Sequence, residues 1–171
     1  YVVARANRAR RLRTLAALRG LPVAVHGAEA WREHCTGSIE YRGATAYEQL
    51  PQVMQGSTVS LAWNPTQFTH SFSERVLLSL GAGCATLTED RPLVRRTFMS
   101  PERETCVATF DGGSGESLRQ EAERLLNDRE GAGAMAIAGR AEVEYAHLWK
   151  HRVDLLGQIV TQILRQQGAQ V

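Results

Sequence analysis

Short apolar runs alternate with polar segments along most of the chain. Each run is rich in β-branched and small residues, a composition that is typical of a buried strand. Five runs predict strands, over residues 21–27, 37–43, 57–63, 84–89 and 105–110. The intervening segments carry apolar residues at helical spacing, which predicts helices over 7–19, 45–55, 76–80, 93–98 and 117–127.

One of these helices contains its own interruption. Thr45 followed by Glu48 has the spacing of a capping box, which predicts that the helix begins at Thr45. Pro51 lies within residues 45–55, and proline removes a backbone donor and clashes with the preceding turn. We therefore predict a kink or a break at Pro51.

Strands that alternate with helices, and that are apolar throughout, are typical of a parallel sheet covered on both faces. We predict an α/β domain of the Rossmann-like, doubly wound class, with about five strands, spanning residues 1–171 as one domain. Residues 130–167 are predicted to be helical with one or two breaks. A five-stranded sheet can be covered with less helix than this, so we expect the helices over 141–167 to contact a further domain.

Composition restricts the class of protein. The chain has 171 residues, of which 43% are hydrophobic and 22% charged, proportions that fit a globular domain. No stretch approaches the roughly 20 apolar residues of a membrane span, and no secretory signal pattern opens the chain. We expect a cytoplasmic protein. The chain begins without Met, which suggests a piece of a longer polypeptide.

Arginines crowd the first 20 residues of the chain, as Arg5, Arg8, Arg10, Arg11, Arg13 and Arg19. Such a run is found in nucleic-acid-binding arms. It is also found on the solvent face of an amphipathic helix, and Leu12, Leu15 and Leu18 recur among the arginines at helical spacing. We favour the helix and predict no nucleic-acid partner, with the arm as the alternative.

The three cysteines, Cys35, Cys84 and Cys106, have no metal-ligand spacing. Cys84 and Cys106 lie within apolar runs, which favours buried free thiols. No set of ligating residues predicts a metal site.

The segment from Phe68 to Pro92 gathers polar residues where a helix begins. In a doubly wound sheet, ligands bind at the carboxyl ends of the strands, near helix N-termini that attract anions. Arg75 could add a contact to phosphate oxygens, and Glu74 could accept bonds from sugar hydroxyls. The spacing of Ser71 and Glu74 also forms a capping box, which would only close the helix, and both interpretations stay open.

Four segments together resemble one family. "SERVLLSLGAGCATLTED", "NPTQFTHSF", "VAVHGAEAW" and "AHLWKHRVDLL", the last through His147, Trp149 and Arg152, are similar in content and order to the spore-maturation (CgeB-type) glycosyltransferases. These belong to the group-1 glycosyltransferases of GT-B architecture. The resemblance covers most of the chain, from Arg8 to Leu156.

The resemblance implies that this chain is the donor-binding, C-terminal half of a bacterial enzyme of this kind. The donor would be a nucleoside-diphosphate sugar, bound without metal or cofactor, and the partner would be the acceptor-binding half of the same polypeptide. A polysaccharide, a lipid or a protein acceptor is left open, as is a peripheral membrane acceptor. The wider group suggests retention of anomeric configuration.

Residue roles also follow from the resemblance. Gly27 would approach the donor, Tyr41 to Thr45 would lie near the nucleobase, and the loop from His70 to Ser73 would cover the diphosphate and sugar. Glu74 would bind ribose or sugar hydroxyls, and Arg75 the diphosphate. The predicted donor-binding set is Gly27, Tyr41, Arg42, Gly43, Asn64, His70, Ser71, Phe72, Ser73, Glu74 and Arg75. No catalytic residue is assigned beyond His70 as a candidate.

The chain departs from the wider group at two positions. Many group-1 enzymes carry two glutamates where this chain has His70 and Leu78. Glu74 lies one turn before Leu78 on the same predicted helix face and could replace one of them. The alternatives to an enzyme are a non-catalytic nucleotide-binding module and an arginine-rich nucleic-acid-binding domain.

Overall fold

A computed structural model describes residues 2–99 and 105–166 of the chain. Its strands are β1 (Val23–Val25), β2 (Ile39–Tyr41), β3 (Val59–Ala62), β4 (Ala85–Glu89) and β5 (Ala108–Phe110). Its α-helices are α1 (Val2–Ala17), α2 (Leu50–Gln55), α3 (Glu74–Gly81), α4 (Pro92–Phe98), α5 (Gly115–Asn127), α6 (Arg129–Glu142) and α7 (Trp149–Gln166). The predicted alternation of strands and helices is confirmed.

The strands pair in parallel, as predicted, but they form two sheets. β1 pairs with β2, so that Val23 lies opposite Ile39, and the second sheet has the order β3-β4-β5. β4 is the central strand of the second sheet, and each of its five residues is buried. Thr86 and Thr88 alternate with Ala85 and Leu87 along β4, yet both threonines are fully buried, because both faces of the strand are covered.

The strands are shorter than predicted. β5 covers three residues of the predicted run 105–110, and it pairs only with the last three residues of β4. A strand lasts only as long as a neighbouring strand offers backbone partners, whereas an apolar run can continue beyond that point. Val107, next to β5, is fully buried without belonging to it.

Two hydrophobic clusters cover the two faces of the β3-β4-β5 sheet. One cluster joins α5 and Leu18 to the strands, through Leu87, Phe110, Leu118, Ala122 and Leu125. The other joins α3, α4 and the residue that follows α6, through Val76, Leu80, Val94, Phe98, Cys106 and Val143. Helices on both faces of parallel strands confirm the doubly wound class.

The interruption predicted at Pro51 is present, but the predicted cap is wrong. A 3-10 helix (Tyr47–Gln49) precedes α2, and Pro51 lies in the first turn of α2. Ala46, not Thr45, precedes the 3-10 helix, and it makes no side-chain cap bond. The Thr45 hydroxyl instead lies 2.8 Å from Nδ1 of His26, because the chain after β2 folds back beside the end of β1.

The sequence suggested that the arginines of helix α1 face solvent, but Arg10 and Arg11 contact the rest of the domain. It begins at Val2 and ends at Ala17. Arg10 turns inward and forms an ion pair with Glu89 at the end of β4, and Arg11 lies over the ring of Trp63. The apolar spacing of this helix therefore predicted its existence but not the direction of its charged side chains.

The long C-terminal helical region is interrupted as predicted. A π-helical turn (Val143–His147) separates α6 from α7, and Gln167, the predicted last residue, lies outside the described residues. No residue of α7 is buried, and its exposed side chains include Trp149, Val153, Leu156, Val160 and Ile163. Among the described residues, no helix is long and apolar enough to cross a bilayer.

The predicted free thiols are confirmed for all three cysteines, of which Cys84 and Cys106 are buried. Burial raises the pKa of the Cys84 thiol to about 11. This thiol therefore stays protonated at neutral pH and acts as a small apolar side chain.

Close packing between α3 and α6 gives a first testable prediction. A Cβ added at Gly139 would lie 2.5 Å from Cδ2 of Leu80 and 3.1 Å from the carbonyl oxygen of Cys106. We expect Gly139→Ala to lower the free energy of unfolding by about 1–3 kcal/mol, because the helices must separate to admit the methyl group. Urea unfolding followed by circular dichroism measures the change.

Gly133 on the same helix is the matched control. A Cβ at Gly133 would meet no atom within 4 Å. Gly133→Ala should raise the free energy of unfolding by roughly 0.5–1 kcal/mol, because alanine loses less conformational entropy than glycine in a helix. A stabilising Gly139→Ala would contradict the close packing described for α3 and α6.

Candidate functional site

The segment between β3 and α3 is anchored by a buried asparagine. Asn64 is 0% exposed, and its Nδ2 donates a 3.0 Å hydrogen bond to Oγ1 of Thr88 on β4. The backbone N–H of Ser73 donates a 2.8 Å bond to Oδ1 of Asn64. One side chain thus ties the end of β3, the central strand and the start of α3 together.

Helix α3 begins later than the capping-box interpretation requires. Ser73, not Ser71, precedes the first helical residue, in extended conformation and with no side-chain cap bond, so the capping box between Ser71 and Glu74 is not formed. The Ser73 hydroxyl is buried without a hydrogen-bond partner among the described residues. Since a helix N-terminus carries partial positive charge, this hydroxyl lies where an anion would be stabilised.

An arginine at the end of β4 holds the loop that leads to α3. Nη1 of Arg91 donates to the carbonyl oxygens of Phe68, at 2.7 Å, and Thr69, at 3.1 Å. Its other nitrogens bind Oε2 of Glu89. The loop is therefore fixed to the sheet through a side chain outside the loop.

The rest of the loop contacts α4 and its own neighbours. The N–H of Leu93 donates a 2.9 Å bond to the carbonyl of His70. The His70 side chain is exposed, and its Nδ1 lies 3.0 Å from the Thr69 hydroxyl. Phe72 packs on Phe98, with ring centroids 5.1 Å apart. The backbone carrying His70 is thus held, while its imidazole faces solvent.

Glu89 is the acidic centre of this region. Its side chain is 1% exposed, and its two carboxylate oxygens are shared between Arg10 on α1 and Arg91. A buried carboxylate is stable only when it is paired, so Glu89 requires both arginines. The two arginines, which are largely buried, require the Glu89 carboxylate in turn. This ion-pair network joins α1, β4 and the loop before α3.

Two further cations lie on the outer side of that network. The guanidinium of Arg11 lies 4.8 Å from the ring centroid of Trp63, the residue that follows β3. Burial, and secondly the charge of Arg75, lower the pKa of Arg11 below its ordinary value. Among the described residues, neither Arg11 nor Arg75 has a carboxylate within ion-pair distance.

A second group of predicted site residues lies at the carboxyl ends of β1 and β2. The N–H of Gly27 donates a 2.8 Å bond to the carbonyl of Gly43, and the Tyr41 hydroxyl donates a 2.9 Å bond to the carbonyl of Gly27. Gly43 has φ +82, a conformation that glycine adopts without strain. Arg42 is exposed and pairs with Glu40 at 2.7 Å.

The predicted residues thus fall into two groups, one from Gly27 to Gly43 and one from Asn64 to Arg75. Arg11 lies near both, since its guanidinium is also 5.9 Å from the ring centroid of Trp31, which follows the Gly27 turn. Asn64 is enclosed, with its polar atoms used by protein groups, so it would act on a ligand only through the segment it holds. Glu74 and Arg75 are exposed on the first turn of α3.

Sequence reasoning missed the residues that connect these groups, which are Arg10, Arg11, Trp63, Glu89 and Arg91. One signal for them was present. Glu89 ends an otherwise uncharged run, and a charged residue at the end of a buried strand requires a partner. The partner on α1 could not be chosen from the sequence. No group of three or more His, Cys, Asp or Glu side chains among the described residues could hold a metal ion.

Known proteins share this architecture. A family model described as "Glycosyl transferase-like" matches residues 6–158. The structure is similar to that of sucrose-phosphate synthase from Thermosynechococcus elongatus, with a TM-score of 0.71 and 15% sequence identity. The match covers 94% of this chain and 44% of that one, so the chain spans less than half of the solved protein. No curated protein sequence matches the chain.

Proposed function

Because the chain belongs to the glycosyl transferase-like family, we propose that it binds the nucleoside-diphosphate-sugar donor of a glycosyltransferase. Its fold is that of one half of a GT-B glycosyltransferase. The observation that carries the proposal is the start of α3. There, the buried Ser73 hydroxyl and the Arg75 guanidinium, neither of which has a hydrogen-bond or ion-pair partner among the described residues, meet a helix N-terminus at the carboxyl end of parallel strands.

In this proposal the diphosphate binds at the N-terminus of α3 with Arg75. Ser73 Oγ would donate to a phosphate oxygen, which would satisfy its hydrogen-bonding capacity. Glu74, exposed beside Arg75, would accept from ribose or sugar hydroxyls. The segment from His70 to Ser73 would cover the diphosphate and sugar. Neutralisation by a helix end and basic side chains allows binding without a metal.

The nucleobase would lie near the turn formed by Gly27, Tyr41 and Gly43. Burial, followed by the charge of Glu29, raises the pKa of the Tyr41 hydroxyl, so it remains a donor at neutral pH. That donor already binds the carbonyl of Gly27, which keeps the turn in place for an aromatic ring. Arg42 lies at the exposed margin of this surface.

The wider group keeps glutamates where this chain has His70 and Leu78. Leu78 is partly buried on α3, whereas Glu74 is exposed one turn earlier on the same helix. We propose that Glu74 takes over the hydroxyl contact of one glutamate. We also propose that the enzyme retains the anomeric configuration of the donor sugar. We further propose that it is of the spore-maturation type and acts in the bacterial cytoplasm.

The acceptor half would be a separate domain. The solved protein is more than twice as long as the matched region, and α7 exposes an apolar stripe with no covering element among the described residues. We propose that helices over 141–167 contact that half. A chain with only the donor half has no acceptor site, so it should bind nucleotide without turnover.

Nucleotide binding can be tested by thermal stability. We expect one of UDP, GDP, CDP, ADP and dTDP to raise the melting temperature of the chain, because a ligand that binds the folded state stabilises it. Arg75→Ala should weaken that response by about tenfold in apparent affinity, as expected for loss of one charge-assisted contact. Glu74→Ala should weaken the binding of a nucleotide-sugar more than the binding of the nucleotide alone.

Arg129→Ala, which removes an exposed cation from the first residue of α6, is the matched control. If no nucleotide changes the melting temperature, the donor-binding proposal is wrong. If Glu74→Ala and Arg75→Ala both respond like the unmodified chain, the site has been assigned to the wrong residues. Binding of DNA or RNA that weakens steeply with salt, without competition by nucleotides, would favour the nucleic-acid alternative.

A further inference from the structure

The loop between β3 and α3 is held at two points by side chains that the strands position. Asn64 fixes its beginning and its end, and Arg91 holds the carbonyl oxygens of residues 68 and 69. These bonds do not reach Thr66 and Gln67, which lie between the two anchor points. The middle of the loop therefore depends on a contact from outside the sheet.

Asn7 on α1 supplies that contact. Its Oδ1 accepts a 2.9 Å hydrogen bond from the N–H of Thr66, and its Nδ2 donates a 3.3 Å bond to Oε1 of Gln67. The Asn7 side chain is half-buried, whereas the Gln67 side chain is exposed. Because water competes less for a partly buried bond, the contact with the Thr66 backbone is the one that holds the loop.

Helix propensity does not explain an asparagine at this position. Asn7 lies within α1, where asparagine is less favourable than alanine. Ala4, Ala6 and Ala9 surround it in the sequence, so alanine would suit the helix better. The contact with the loop, rather than the helix itself, gives a physical reason for the asparagine.

Helix α1 is attached to both groups of predicted site residues. Arg10 forms the buried ion pair with Glu89 at the end of β4. Nη2 of Arg8 lies 3.4 Å from Oε1 of Glu33, on the 3-10 helix that follows β1. A loop bound to Asn7 is thus held relative to the β1-β2 sheet as well as to β4.

We infer that Asn7 is a positioning residue of the proposed donor site, which fixes the loop that carries His70 and Ser73 before the donor binds. This inference rests on the proposed donor-binding function. A loop that is already ordered loses little conformational entropy on binding, so more of the interaction free energy is retained as affinity. Without Asn7, the donor has to order the segment around Thr66 as it binds.

The test measures nucleotide affinity and local hydrogen exchange in Asn7→Ala. The probe is whichever of UDP, GDP, CDP, ADP and dTDP stabilises the unmodified chain most, titrated by calorimetry. We expect its affinity to fall by roughly three- to tenfold, the range for one hydrogen bond. The Thr66 amide should exchange at least about tenfold faster in the variant without nucleotide, and saturating nucleotide should restore part of its protection.

Two further variants separate the backbone contact from other effects. Asn7→Asp keeps an oxygen that can accept from the Thr66 N–H. At about 0.5 M salt, which screens the added charge, its affinity should lie within about twofold of that of the unmodified chain. Gln67→Ala removes only the exposed side-chain bond and should also stay within about twofold. Alanine favours a helix more than asparagine does, so α1 should remain folded in Asn7→Ala, which circular dichroism checks.

The outcomes are distinct. Unchanged affinity in Asn7→Ala would overturn the positioning role, as would an equal loss in Gln67→Ala or a failure of Asn7→Asp to recover affinity. Loss of affinity through unfolding of α1 would assign Asn7 to the fold alone and would also overturn the role. Each of these results leaves the proposed donor site intact. Absence of nucleotide binding by the unmodified chain would overturn the proposed function and this inference with it.

Discussion

Glu89→Gln should lower the free energy of unfolding by about 3–5 kcal/mol, the range for a buried ion pair that loses one partner. The substitution preserves the volume of the side chain but removes the charge that Arg10 and Arg91 share. Both guanidiniums are largely enclosed, with 18% and 14% of their side chains exposed, so water cannot replace the carboxylate. Because a domain is stable by only about 5–15 kcal/mol, the variant should unfold at much lower urea concentration.

The adjacent residue provides a control for the same chemical change. Asp90 forms an ion pair with Arg95 at the surface, where the Arg95 side chain is 67% exposed. Asp90→Asn should change the free energy of unfolding by about 0–1 kcal/mol, as surface ion pairs do. Equal effects of the two substitutions in urea unfolding would show that Glu89 does not depend on buried pairing.

Asn64→Ala should have the second largest effect, on stability and on the site together. The truncation leaves the buried Ser73 N–H without its partner, at a cost of about 1–3 kcal/mol. It also removes the bond that the Thr88 hydroxyl accepts, although this hydroxyl still donates to the carbonyl of Ala62. We expect a loss of about 2–4 kcal/mol in the free energy of unfolding. The start of α3 would also lose its fixed position relative to β4.

Asn64→Ala should also weaken nucleotide binding. Calorimetry at a temperature where Asn64→Ala is still folded should show an affinity for the nucleoside diphosphate that is lower by at least about fivefold. The reason is that binding must first order the start of α3. Asn127→Ala, at the exposed end of α5, is the control and should change stability by no more than about 0.5 kcal/mol. Unchanged affinity in a clearly destabilised Asn64→Ala would show that Asn64 supports the fold without positioning the site.

Much of the secondary structure was predictable because its causes are local. The run Val59–Ala62 is mostly apolar and begins with a β-branched residue, which favours a strand. Pro51 lacks a backbone donor, so it restricts the helix around it whatever that helix packs against. Helix ends were less predictable. Ser71 and Glu74 have capping-box spacing, yet α3 begins at Glu74, because Asn64, nine residues before Ser73, binds the Ser73 N–H. A contact from outside the helix thus decides where the helix starts.

The candidate site was predictable in outline only. A polar segment after a strand indicated the α3 N-terminus, and Arg75 and Glu74 lie there as exposed side chains. Arg11 belonged to a run that fits a solvent-exposed helix face, and nothing in that run distinguishes Arg11 from Arg13. Which of the two lies against Trp63 depends on how α1 rests on the loop after β3.

By itself, the sequence determined the alternation of strands and helices, the parallel α/β class and the broad glycosyltransferase-like family, because these follow from short-range periodicity and from motifs in a given order. Only the tertiary structure decided that the strands divide into two sheets, that Asn64 is enclosed, and which arginines are paired. Arg10 and Glu89 are 79 residues apart in the chain, and local pattern carries no information about contacts at that separation. The sequence pattern says least about whether a charged side chain is exposed or buried. Such a side chain can reach solvent, or it can be buried where the fold places an oppositely charged partner beside it.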